Sequence, residues 1–166
     1  MISKKVCMLG LLSVGKTSLV EQYVNSLFSD KYLTTVGVKI SKKNVNVNGS
    51  DVSLVLWDME GQDEYTDLSM LYLRGVMGFF VVADITRLDT FEAALKIREI
   101  VLAVLGKDIP NMLLLNKSDL PGWEVDNDHV EKAQASGIKI LRTSARMGIA
   151  INEAFETLAR DMLVRA

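Results

Sequence analysis

Short apolar runs of strand length recur at 6–9, 52–57, 79–83, 112–115 and 138–141, and most are separated by segments whose apolar residues repeat at helical spacing. This alternation predicts an α/β fold. The run Gly78-Phe79-Phe80-Val81-Val82-Ala83 is apolar on both faces, as suits a parallel strand covered by helices on each side. One pair breaks the alternation. The segment 42–48 alternates polar residues with Val45 and Val47, Asn48-Gly49 supplies a tight turn, and the run 52–57 follows directly. These two strands are expected to pair as an antiparallel hairpin, with the half-polar strand at a sheet edge. The pattern therefore predicts a six-stranded, mostly parallel sheet with one antiparallel edge strand and helices on both faces. Helices are expected over 16–27, 64–74, 90–105, 127–136 and 151–163. In the last, Ile151, Ala154, Phe155, Leu158 and Met162 form a stripe that belongs against the sheet, and most of the eight methionines fall in similar core-filling positions.

The 166 residues show no repeat, linker or low-complexity segment and read as a single domain, 1–166. With 49% hydrophobic and 24% charged residues and a net charge of -2, the chain lacks the basic excess that a nucleic-acid partner would require. Cys7 is the one cysteine, which excludes an internal disulfide or a cysteine-rich metal site and fits a buried strand thiol in a reducing cytoplasm. The longest apolar stretch, near 77–83, is far short of the ~20 residues of a membrane span, and no secretory signal precedes the first strand. Ile2 follows Met1 and the chain closes on Leu163-Val164-Arg165-Ala166, so no intrinsic lipid anchor is expected and the protein reads as a cytoplasmic monomer. Trp123 is expected to pack on a neighbouring helix, and His129 to be a lone exposed side chain.

The chemistry concentrates after two of the strands. Gly10-Leu11-Leu12-Ser13-Val14-Gly15-Lys16-Thr17 lies between an apolar run and an amphipathic one, the strand-loop-helix context in which such a loop grips phosphate. Its backbone N–H groups and the following helix N-terminus would face a triphosphate, Lys16 would bridge the outer phosphates, and the Thr17 hydroxyl is placed to ligate Mg²⁺. Asp58 ends a buried run and precedes Met59-Glu60-Gly61-Gln62, giving an acid near the metal and a glycine whose N–H can meet the γ-phosphate. Asn116-Lys117-Ser118-Asp119 emerges at the end of the 112–115 run. Asp119 can accept two hydrogen bonds from the N1–H and 2-amino group of guanine, whereas adenine would leave it unpaired. The ligand expected is GTP or GDP.

These three motifs, in this order, resemble the Ras-like small GTPases over essentially the whole chain. Thr35-Val36-Gly37-Val38, Trp57-Asp58 with Gly61-Gln62, Tyr72-Leu73-Arg74-Gly75 and Val81-Val82-Ala83-Asp84-Ile85-Thr86 are most similar to the Rab branch. The resemblance implies a P-loop NTPase G domain. It implies nucleotide contacts from Ser13, Val14, Gly15, Lys16, Thr17, Ser18, Phe28, Thr35, Gly61, Asn116, Lys117, Asp119, Ser144, Ala145 and Arg146. It also implies Mg²⁺ on Thr17, Thr35 and Asp58, and hydrolysis served by Lys16, Thr35 and Gln62, the last orienting the attacking water. Phe28 would lie against the guanine ring and the Ala145 N–H would contact the guanine oxygen, with Arg146 in place of the usual lysine. Effector, exchange-factor and activating proteins would bind through two switch loops, whose apolar groups are Leu33, Val36, Val38, Ile40, Tyr65, Leu68 and Leu71, half of them expected to be buried.

Three positions depart from the family pattern. Leu12 and Ser13 stand where small residues, commonly glycine, are usual, and Glu60 replaces a common alanine. The bulk of Leu12 and the charge of Glu60 beside the γ-phosphate predict slow intrinsic hydrolysis. They also leave open a second reading, a nucleotide-holding scaffold that does not cycle, whereas a phosphotransferase is disfavoured by the guanine-specifying motifs.

Overall fold

The computed structural model describes residues 1–29, 37–59 and 70–165. Six strands form one sheet in the order β2-β3-β1-β4-β5-β6. The strands are β1 (Ile2–Leu9), β2 (Val38–Val47), β3 (Ser50–Met59), β4 (Gly78–Asp84), β5 (Asn111–Asn116) and β6 (Ile140–Arg142). All neighbouring pairs are parallel except β2 with β3, which form the expected hairpin with Val47 opposite Ser50. Asn48 and Gly49 make its turn at φ 52° and 82°, the double left-handed geometry that an Asn-Gly pair tolerates best. Strand β2 lies at the sheet edge and begins earlier than its alternation announced, at Val38.

Among the described residues four α-helices cover the sheet: α1 (Lys16–Asn25), α2 (Leu88–Leu105), α3 (Asn127–Ala135) and α4 (Ile151–Val164). Leu19, Val20 and Tyr23 of α1 and Phe155, Leu158 and Met162 of α4 pack with Met8, Leu54 and Phe80 on one face. Phe91, Ile97 and Val101 of α2 and Val130 of α3 pack with Cys7, Phe79 and Val81 on the other. Cys7 is fully buried, and burial pushes its thiol up to about 11, leaving it protonated and unreactive at neutral pH. Among the described residues no helix is long and apolar enough to cross a membrane.

Local chemistry explains where elements begin and end. Helix α1 is capped at its start by Gly15, held in the left-handed region at φ 99°, and ends at Asn25, two residues short of the apolar pattern's end, with Ser26 left-handed as its C-cap. Strand β6 begins at Ile140 rather than Ile138, because the Gly137 and Ile138 N–H groups still close α3 by donating to the Gln134 and Ala133 carbonyls. Of the helix expected over 64–74, the described part is a single 3-10 turn, Met70–Leu73. His129 is not simply an exposed side chain: it completes a capping box, its Nδ1 accepting from Asp126 N while Asp126 Oδ1 accepts from His129 N. Trp123 is exposed, donates to the Leu120 carbonyl and lies under the Arg142 guanidinium.

The joint between α1 and α4 is aromatic. Phe155, 1% exposed, stacks on Tyr23 at 3.9 Å between ring centroids and meets Phe80 edge-on at 4.9 Å. Phe155→Ala is expected to lower unfolding stability by about 3–5 kcal/mol in urea titration, with the cooperative single transition retained.

Candidate functional site

The carboxyl ends of β1, β3, β4 and β5 lie along one edge of the sheet, where Met8 pairs with Asp58 and Asp84 pairs with Asn116. From β1 the chain goes first to one side of the sheet and later to the other, so the crevice between β1 and β4 is a switch point of the topology. The loop 10–15 occupies this position. Gly10 has no room for a side chain, since a Cβ there would lie 2.5 Å from the Val82 carbonyl oxygen. A Cβ at Gly15 would lie 2.3 Å from Asn116 Nδ2.

Lys16, the first residue of α1, is 6% exposed, and its ammonium donates to the carbonyls of Gly10 (3.0 Å) and Leu11 (2.9 Å). Burial lowers its pKa to about 8, partly opposed by the carboxylate of Asp58. The Thr17 hydroxyl donates to Asp58 Oδ2 at 2.7 Å, which places a hydroxyl and a fully buried carboxylate side by side under the loop. Such hard oxygen donors are what Mg²⁺ takes, and a site of two protein oxygens suits an ion that keeps waters and binds phosphate as well. Among the described residues no cluster of three or more His, Cys, Asp or Glu forms a metal cage.

Asn116 joins the loop to the opposite wall. Its Nδ2 donates to the Val14 carbonyl (3.0 Å), and its Oδ1 accepts from Thr143 Oγ1 (3.1 Å) and the Ala145 N–H (3.2 Å). Ser144, buried, donates to Asp119 Oδ1 at 2.8 Å and so fixes an exposed carboxylate at the mouth of the crevice. Ala145 is held from behind by Gln22 of α1, which donates to its carbonyl. Lys117, left-handed at φ 66°, extends its ammonium to the Ser13 carbonyl (2.6 Å) and to Asp84 (3.1 Å).

The fold thus brings together Ser13, Val14, Gly15, Lys16, Thr17, Asp58, Asn116, Lys117, Asp119, Ser144 and Ala145. Ser18 is half-buried in the first turn of α1, Phe28 is exposed beyond its end, and Arg146 is exposed beside Ala145. Thr35, Gly61, Gln62 and Glu60 lie outside the described residues, as do Leu33, Val36, Tyr65 and Leu68. Of the other expected switch groups, Val38 is half-buried, whereas Ile40 and Leu71 are exposed. The side chain of Leu12 is exposed as well.

A Ras family model matches residues 5–164. The chain belongs to the Ras family. Ras-related protein Rab-21 of Dictyostelium discoideum is 35% identical over 166 residues, covering 99% of this chain and 78% of that protein. Rab-13 of Bos taurus is 30% identical over 98% of this chain and 81% of its own length, and human Rab-8B is 31% identical over 97% and 79%. This Ras-family protein is therefore a Rab-like small GTPase, of a kind that binds guanine nucleotides.

Asp84, Arg87 and Thr143 are structural partners of the site beyond the residues to which the sequence assigns a role. Burial alone would raise the Asp84 carboxyl, but hydrogen bonds from Thr86 and the charge of Lys117 outweigh it and hold the carboxyl below the usual range. Gly15→Ala in this small GTPase is expected to cost at least about 2 kcal/mol in denaturant titration, because the new Cβ drives into Asn116 from a left-handed backbone. An unchanged midpoint would contradict the packing described.

Proposed function

We propose that residues 1–166 form one nucleotide-binding domain that takes GTP or GDP with Mg²⁺, hydrolyses GTP slowly, and presents its two switch loops to effector, exchange-factor and activating proteins. The observation that carries this reading is the Asn116 amide, which joins the phosphate loop at Val14 to the loop of Thr143 and Ala145 in one rigid crevice.

The diphosphate would lie across the N–H groups of 13–18. Helix α1 has no acidic residue in its first turn and is capped by Gly15, so its positive end is open to an anion. Lys16 would exchange its carbonyl partners for the outer phosphates. Thr17 and Asp58 would hold Mg²⁺, which supplies charge neutralisation at those phosphates, and Thr35 would join them in the GTP-bound form. Asp119 would accept from the guanine N1–H and 2-amino group, the Ala145 N–H would meet the guanine oxygen, Lys117 and Phe28 would flank the ring, and Ser144 and Arg146 would complete the base loop. Gln62 would orient the attacking water, and Gly61 would sense the γ-phosphate. Loss of that phosphate releases both loops, which is the switch.

Single-turnover hydrolysis of loaded GTP in Mg²⁺ is expected at or below the order of 10⁻⁴ s⁻¹. The double replacement Leu12→Gly with Glu60→Ala is expected to raise it. Retained GTP with no conversion over a day would favour the non-cycling scaffold, and an unchanged rate in the double variant would remove Leu12 and Glu60 as the cause of slow turnover.

Lys16 offers an independent check. With its pKa near 8 in the free protein, bound phosphates would raise it, so it is half protonated before binding at pH 8 and fully protonated after. Calorimetry of GDP binding at pH 8 in buffers of different ionisation enthalpy is expected to show uptake of about half a proton, growing smaller as the pH is lowered. Proton release at pH 8 would contradict the assignment.

A further inference from the structure

One buried carboxylate anchors two cations that grip the phosphate loop from outside. The side chain of Asp84, at the end of β4, is 4% exposed. Its Oδ1 accepts from the Thr86 N–H (2.9 Å) and hydroxyl (2.6 Å). Its Oδ2 accepts from Arg87 Nε (3.2 Å) and pairs with Lys117 Nζ (3.1 Å). Each cation also reaches the loop: Lys117 donates to the Ser13 carbonyl at 2.6 Å, and Arg87 Nη2 donates to the Leu12 carbonyl at 3.1 Å. Lys117 belongs to the base-holding run, whereas Arg87 belongs to no motif.

The consequence follows from peptide geometry. In a trans peptide the C=O and the next N–H point in opposite directions, and the chain contains no cis bond among its described residues. Drawing the Leu12 oxygen outward toward Arg87 turns the Ser13 N–H inward, and Lys117 does the same for the Val14 N–H. Ser13 is left-handed at φ 67°, a conformation that disfavours a residue with a Cβ and therefore needs support from its surroundings. Successive N–H groups in such a turn form a concave anion site. The guanidinium suits this task because its Nε and Nη2 serve the carboxylate and the Leu12 carbonyl together from one rigid plane.

We infer that Arg87 is a positioning residue for the nucleotide's outer phosphates: held by Asp84, it fixes the Leu12–Ser13 peptide with its N–H facing the bound diphosphate. The inference rests on the proposed reading of the crevice as a guanine-nucleotide site. It is specific to the phosphate end, since among the described residues the side-chain hydrogen bonds of Arg87 go to Asp84 and to the Leu12 carbonyl.

The test is release of a fluorescent GDP from the Mg²⁺-loaded protein, with GMP affinity measured by displacement, in the wild type and in Arg87→Ala. Release of GDP is expected to become about threefold to tenfold faster, the range set by the net worth of one ordinary hydrogen bond, since the Arg87–Leu12 bond is exposed, with GMP affinity unchanged. Unchanged GDP release overturns the inference. An equal loss for GDP and GMP also overturns it, because it marks general damage to the site. A wild-type protein that retains no GDP would sink the reading of the crevice and the inference with it, whereas normal retention with an unaffected variant sinks the inference alone. Should Arg87→Ala not yield folded protein, Arg87→Gln, which keeps most of the bulk but removes the charge and the fork, carries the same outcomes.

Discussion

The site depends on the side-chain amide of Asn116. It is 2% exposed, and both its ends are used, the nitrogen on Val14 and the oxygen on Thr143 and Ala145. An amide is the group this place demands: it offers a donor to one carbonyl and an acceptor to a hydroxyl and an N–H within one plane. A carboxylate would set oxygen against the Val14 oxygen, and an apolar residue would leave three buried polar groups unpaired. Gly15 follows from the same amide, because Nδ2 fills the space where a Cβ would stand. Segments more than a hundred residues apart in the chain are thereby held as one rigid wall.

The sheet makes this joint possible. Parallel strands sandwiched between α1 and α4 on one face and α2 and α3 on the other are buried on both sides, so their carboxyl ends are fixed relative to one another. Polar groups placed at those ends inherit that rigidity. Lys16, Asp58, Asp84 and Asn116 are each nearly or fully buried and each tied to groups from another strand or loop. A set of buried charges of this kind costs stability unless a ligand uses it. The lowered pKa of Lys16 expresses that cost.

Much of this was legible in the sequence, and for identifiable reasons. The strands announced themselves because a strand covered on both faces must be apolar throughout, and the hairpin because Asn48-Gly49 suits a turn that requires two left-handed residues. Lys16, Thr17, Asp58, Asn116 and Asp119 could be singled out because the chemistry proposed for them requires particular side chains at fixed spacing, and the fold brings them to one crevice. The bracing by Asp84 and Arg87 could not, since its far partner is the backbone carbonyl of Leu12, and a carbonyl leaves no mark in a sequence. The role of His129 was hidden for a related reason: a histidine at that cap position is not the Glu or Gln that the pattern usually carries. Element ends were least legible where backbone geometry alone decides, as at Ser26 and at Gly137-Ile138.

The most direct measurement is nucleotide selectivity in Asn116→Ala, confirmed folded by circular dichroism, with GDP, ADP and GMP competing for the site. If one amide holds the phosphate loop and the base loop together, the variant loses preference for guanine over adenine and for diphosphate over monophosphate at once. Loss of one preference with the other intact would show that the two halves of the crevice are built independently and would contradict the role given to Asn116.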